Sequence, residues 1–126
     1  MCLAMYGTPA DCTLASQFLP GEEVCTFTST EELTPALSKG AFTAIFILKD
    51  GADGMEGAIA ARRQQPKLPL AWFSDDRNFA PQAYRLQADY FAPKPLTVEK
   101  LRLALLRCGL SDSNSESILM KREKEA

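Results

Sequence analysis

The chain has 126 residues, 46% apolar and 24% charged, with 14 basic against 16 acidic side chains and a net charge of −2. That length suits one domain with a sizeable core, and the charge balance gives binding of a phosphate backbone by this segment no electrostatic support. Histidine is absent, which removes the commonest general base, the usual zinc nitrogen ligand and any Ser-His or Cys-His nucleophile.

CLAMY (2–6) reads as a first strand ended by Gly7. Thr8-Pro9 then supplies an N-cap and a proline at the first helical position, predicting a helix to about Phe18 that Leu19-Pro20-Gly21 stops. EVCTFTS (23–29) is β-branched and aromatic, as a second strand should be. STEELTPALSKG (29–40) has helix-forming residues, but Pro35 removes an amide from its middle, so a short or broken helix is expected. TAIFIL (43–48) is the most apolar run and fits a central parallel strand covered on both faces.

DGADG (50–54) lacks the alternating oxygen ligands and closing glutamate of a calcium loop, and reads as a tight turn using Gly51 and Gly54. A helix from about Met55 to Gln65 follows, closed by Pro66. LPLAWFS (68–74) is the fourth strand, and NFAPQAYRL (78–86) a fourth helix with Pro81 in its first turn. DYFA (89–92) is a short fifth strand. TVEKLRLALLRC (97–108), capped by Thr97, is the last helix, with Val98, Leu101, Ala104 or Leu105, and Cys108 pointing inward. Leu103, Leu106 and Leu110 form a second stripe, more than one docking face requires, and mark a candidate partner surface.

Five strand–helix units predict an α/β fold, a parallel sheet with helices on both faces and right-handed crossovers. Ligand sites in such sheets lie beyond the carboxyl ends of the strands, here Tyr6–Gly7, Leu48–Asp53, Ser74–Asp76 and Lys94. Residues 1–110 form the expected domain. SDSNSES opens a polar linker at Ser111, and residues 111–126 carry it into the possible start of a helix. Cys2, Cys12, Cys25 and Cys108 make no CxxC pair and read as small buried apolar side chains. MCLAMYG has no basic leader, and no apolar run approaches the ~18 residues that span a bilayer, so a cytoplasmic chain without membrane contact is expected.

In this arrangement the chain resembles the receiver domain of bacterial two-component response regulators over residues 2–108. LPLAWFS matches a fourth strand ending in Ser or Thr, ADYFAPKP the strand leading into a Lys-Pro pair, and GMEG the loop after the phosphorylation site. WFSDDRNFAPQAYRLQADYFAPKP is most similar to receivers that precede LytTR-type DNA-binding domains. The resemblance implies a doubly wound five-stranded sheet, flavodoxin-like, of order 2-1-3-4-5. It also implies an aspartate phosphorylated at the tip of the third strand, with Mg²⁺ held by acidic residues after the first.

Carried over residue by residue, the resemblance makes Ser74 and Lys94 the phosphoryl-pocket relics and Phe91 the switch aromatic, with a cis bond before Pro95. The acidic pair falls near Tyr6, Gly7 and Thr8, none acidic, and the phosphoacceptor position falls on Lys49 or Leu48. Phosphoryl transfer needs an oxygen nucleophile and a cation, and Mg²⁺ needs hard oxygen ligands. The expectation is therefore a pseudo-receiver without enzymatic activity, metal or cofactor, working through protein–protein contacts. A homodimer or partner would use the surface of the fourth helix, fifth strand and fifth helix, and the module would regulate transcription if a DNA-binding half follows. Two alternatives stand beside it: a receiver with a displaced acceptor at Asp50, and a small-anion sensor using Ser74, Lys94 and Lys49. Lys94 itself is expected to pair with Asp50, Asp75 or Asp76, or to lie in solvent.

Overall fold

A computed structural model describes residues 2–110; the linker reading of 111–126 lies outside them. In chain order the elements are β1 (Cys2–Tyr6), α1 (Pro9–Phe18), β2 (Val24–Phe27), α2 (Thr30–Lys39), β3 (Phe42–Ile47), α3 (Gly51–Gln64), β4 (Leu70–Ser74), a 3₁₀ turn (Arg77–Phe79), α4 (Ala80–Arg85), β5 (Tyr90–Pro93) and α5 (Val98–Arg107). All four strand pairings are parallel and the sheet order is β2-β1-β3-β4-β5. The fold is thus the doubly wound α/β sheet expected from the strand–helix alternation.

Successive strand residues point to opposite faces, and the sheet divides the core accordingly. Leu3, Met5, Phe46, Leu48 and Phe73 lie on one side with α1 and α5. Ala4, Tyr6, Ile45, Ile47, Leu70 and Trp72 lie on the other with α2, α3 and Ala83 of α4. Leu70 to Ser74 are all buried, so β4 is apolar on both faces, as a strand covered by two layers must be.

Local chemistry starts the helices where the caps predict. Thr8, Ser29 and Thr97 each accept a hydrogen bond from the backbone N–H three residues on, at 3.2 Å in every case. At α2 the Glu32 carboxylate reaches back to Thr28 N–H and to the Thr28 and Ser29 hydroxyls, a capping-box-like return that meets the amide one residue before the cap. The hydroxyl and amide of Thr28 hold Glu32 below the usual carboxylate range.

Three expectations need correction. The helix around Pro35 is not broken: α2 runs unbroken over ten residues. Pro35 sits on its exposed face, opposite buried Leu33 and Leu37, so the carbonyl left without an amide partner is free to meet water. Second, α3 begins at Gly51, not near Met55. Gly51 takes φ +61°, a left-handed conformation that glycine adopts without steric cost. Gly54 is not a turn residue but lies inside the helix, where a Cβ would collide with the Lys49 carbonyl. Third, the fourth helix divides into a 3₁₀ turn and a six-residue α4.

Candidate functional site

The carboxyl end of the sheet gathers the sequence-predicted residues, but in two different environments. On the β1–β3 side the strand tips are packed shut. Ile47 pairs with Tyr6 on the last rung, and Leu48 N–H donates to the Tyr6 carbonyl at 2.7 Å. Leu48 then turns into the α1–α5 layer and is completely buried. A Cβ on Gly7 would stand 2.8 Å from Leu48 Cβ, so the bare residue 7 leaves room for the side chain that starts at position 48. Tyr6 is buried too, its ring occupying the space a Cβ on Gly57 would fill. Lys49 points to the other layer, its ammonium 5.6 Å from the centre of the Tyr6 ring, within cation–π range.

On the β4–β5 side the site stays polar. Lys94 follows β5, its backbone N–H held by the Ser74 carbonyl at 2.8 Å, and the Lys94–Pro95 bond is cis. Its ammonium donates to Asp11 Oδ2 at 2.7 Å and to the Leu48 carbonyl at 2.8 Å, and meets Asp50 Oδ1 at 2.8 Å. Asp50 stands at the N-terminus of α3 and also accepts from Asp75 N–H at 3.2 Å. Ser74 is fully buried; its hydroxyl accepts from Asp76 N–H at 3.1 Å. Phe91 is half-buried and meets Trp72 edge-on at 5.7 Å.

Burial alone would lower the Lys94 pKa, but the hydrogen bonds and charges of Asp11 and Asp50 outweigh it and hold the ammonium above its ordinary value. The thiols move the other way in reactivity. Burial raises Cys12 and pushes Cys108 up to about 12, so both stay protonated and inert near neutrality. All four cysteines are free; Cys12 and Cys108 are buried, whereas Cys2 and Cys25 are half-buried. Among the described residues no three Asp, Glu, His or Cys side chains gather closely enough to hold a metal ion.

Pairing of Lys94 with Asp50 follows one of the sequence options, whereas Asp75 gives its backbone N–H to Asp50 and accepts from the Ser74 hydroxyl at 3.4 Å, and Asp76 caps the 3₁₀ turn. The residue that sequence reasoning missed is Asp11. It sits in the first turn of α1, three residues after its Thr8 cap, on the edge of the stripe formed by Cys12 and Ala15. That helical spacing is the signal in the sequence, one turn beyond the positions 6–8 that the resemblance marks. The anion-cradle grouping does not form: Lys94 is engaged by two carboxylates, the Ser74 hydroxyl is buried, and Lys49 lies over Tyr6. Of the leucine stripe, Leu103 is exposed, Leu106 half-buried, and Leu110 is packed against the core.

No protein-family model and no curated protein matches the chain. Its fold does match solved structures. A CheY-like response regulator receiver domain protein from Methanospirillum hungatei JF-1 superposes with a TM-score of 0.69 at 16% identity, covering 98% of this chain and 97% of that one. The N-terminal signal receiver domain of a two-component response regulator from Bacteroides fragilis gives 0.74 at 20% identity, covering 88% and 98%. A structure described as adenylate cyclase from Rhodopirellula baltica gives 0.69 at 20% identity, covering 94% and 96%. The chain has the CheY-like, flavodoxin-type fold. Among the described residues no helix is long and apolar enough to cross a membrane.

Proposed function

We propose that this chain is a receiver-type signalling module of the two-component kind, non-enzymatic, that works through protein contacts without conventional aspartate phosphorylation. The observation that carries the reading is the Lys94 ammonium lying between Asp11 and Asp50 at 2.7 and 2.8 Å, beside a fully buried Leu48 at the strand tip. A phosphoryl switch needs an oxygen nucleophile there and a divalent cation on hard oxygen ligands. Leu48 offers no nucleophile and Gly7 no ligand, and a fixed ammonium already neutralises the carboxylates that remain. The partner surface in this reading is α4–β5–α5, where Tyr84 is 86% exposed and Leu103 37%; the partner is a second copy or another protein. An output in transcription, through a LytTR-type or other DNA-binding half, belongs to the same proposal.

Incubation with Mg²⁺ and acetyl phosphate, or with Mg²⁺ and beryllium fluoride, tests it. The expected result is no phosphoryl mass gain and no spectral change. Sedimentation over a wide concentration range tests the contact surface: self-association that a Leu103→Glu variant weakens is the result expected for a homodimer.

One observation favours a second reading, a receiver with a displaced acceptor. Asp50 Oδ1 meets both Lys94 and the Asp75 N–H, and its side chain is 48% exposed, so it faces a cation and a backbone donor while open to a phosphodonor. A saturable mass gain abolished by Asp50→Asn would establish this reading and end the first.

A further inference from the structure

The α4 segment is held very differently at its two ends. At its start α4 continues from the 3₁₀ turn, which the Asp76 carboxylate caps through Asn78 N–H at 2.9 Å, and has no side-chain cap of its own. Phe79, which precedes it, leans on Trp72 with ring centres 5.6 Å apart. Along its six residues only Ala83 is buried. A helix this short has few internal hydrogen bonds, so its stability must come from docking, and one buried alanine supplies little of it.

The side-chain hydrogen bonds to the end of α4 come from one residue of another helix, beside Leu86 and Ala88, which pack against the core. Arg62 of α3 donates through Nε to the Leu86 carbonyl at 2.6 Å and through Nη2 to the Gln87 carbonyl at 2.8 Å. Its Nη1 donates to the carbonyls of Pro66, at 3.3 Å, and Leu68. Its charge lies 3.9 Å from Asp89 Oδ2, which itself accepts from Leu70 N–H at 2.9 Å. One guanidinium thus ties the connection before β5 to the connection before β4. Only arginine presents five donors in a fixed planar fork. Gln87 is the only non-glycine residue among those described with positive φ, at +56°, a conformation that costs an ordinary residue free energy unless its surroundings hold it.

We propose that Arg62 is a clamp that fixes the carboxyl end of α4, making Leu86–Gln87 a hinge about which α4 detaches from its Phe79 end first. The device does not depend on how the Asp11–Lys94–Asp50 cluster works.

Hydrogen exchange on the whole chain, with global stability measured in parallel by urea unfolding, tests it. In the unaltered protein the Leu86, Gln87 and Ala88 amides exchange at least ten-fold more slowly than those of Phe79 and the first turn of α4. In Arg62→Ala, protection of 83–90 falls at least ten-fold beyond the uniform loss set by global stability. Arg62→Lys, which keeps the charge but not the fork, shows a smaller loss confined to the same segment and carries the test if the alanine variant does not fold. Uniform loss across all elements, no loss at 83–90, or faster exchange at Leu86–Ala88 than at Phe79 in the unaltered protein would overturn the proposal.

Discussion

The two sides of the sheet's carboxyl end have the same topology and opposite chemistry. Between β1 and β3, Tyr6, Gly7 and Leu48 close the tips with carbon; at β4 and β5, Ser74 and Lys94, met by Asp50 from the start of α3, leave them polar and partly open. The first side behaves as core, where shape decides energy and one methylene matters. The second behaves as a partly solvated ion cluster, where charge decides and water screens. Carbon at these strand tips therefore does not loosen the fold: Leu48, just past β3, fills the space that Gly7 leaves just past β1.

If the closed side is core, Leu48→Asp is the most damaging change. A carboxylate at a fully buried position among apolar neighbours, with the adjacent Lys94 ammonium already engaged by Asp11 and Asp50, is expected to cost roughly 3–5 kcal/mol, read as a lower urea midpoint. A variant as stable as the parent, and newly responsive to Mg²⁺, would erase the contrast between the sides. Gly7→Ala sharpens it. Its Cβ would meet Leu48 at 2.8 Å, and overpacking of this kind costs about 1–3 kcal/mol. The same change in a Leu48→Gly background, which removes that Cβ, should cost clearly less, and the double-mutant cycle measures that coupling.

On the open side effects are smaller. Lys94→Met leaves Asp11 and Asp50 without their cation, but their side chains are 27% and 48% exposed, so solvent limits the loss to about 1–2 kcal/mol. Lys94 holds its proton more tightly folded than unfolded. Its contribution is therefore complete below the ordinary lysine value of about 10.4 and fades as pH rises through the folded value. Urea midpoints of the parent and the Met variant should converge above that pH and remain separate at neutrality. Ser74→Ala, which strands the Asp76 N–H near the surface, is expected to cost about 1 kcal/mol, the smallest shift of the four.

Much of this was readable along the chain because the signals are local. Caps at Thr8, Ser29 and Thr97, the apolar runs of the strands and the turn residues between them determined the order and kind of the elements. The non-acidic residues at 6, 7, 48 and 49 determined that no ordinary oxygen cage stands at the strand tips. Pro35 and Gly54 depart from the average habit of their residue types, because the face of the helix each occupies decides.

Tertiary structure alone decided who meets Lys94. Asp11 is 83 positions away and reaches the ammonium because α1 begins, and β5 ends, at one pole of the sheet. It decided as well that Gly7 and Leu48 are complementary and that Arg62 binds two loops. The reason is physical: caps and periodicity depend on neighbours within one turn, whereas these contacts depend on side-chain reach between elements whose spacing exists only once the sheet has formed.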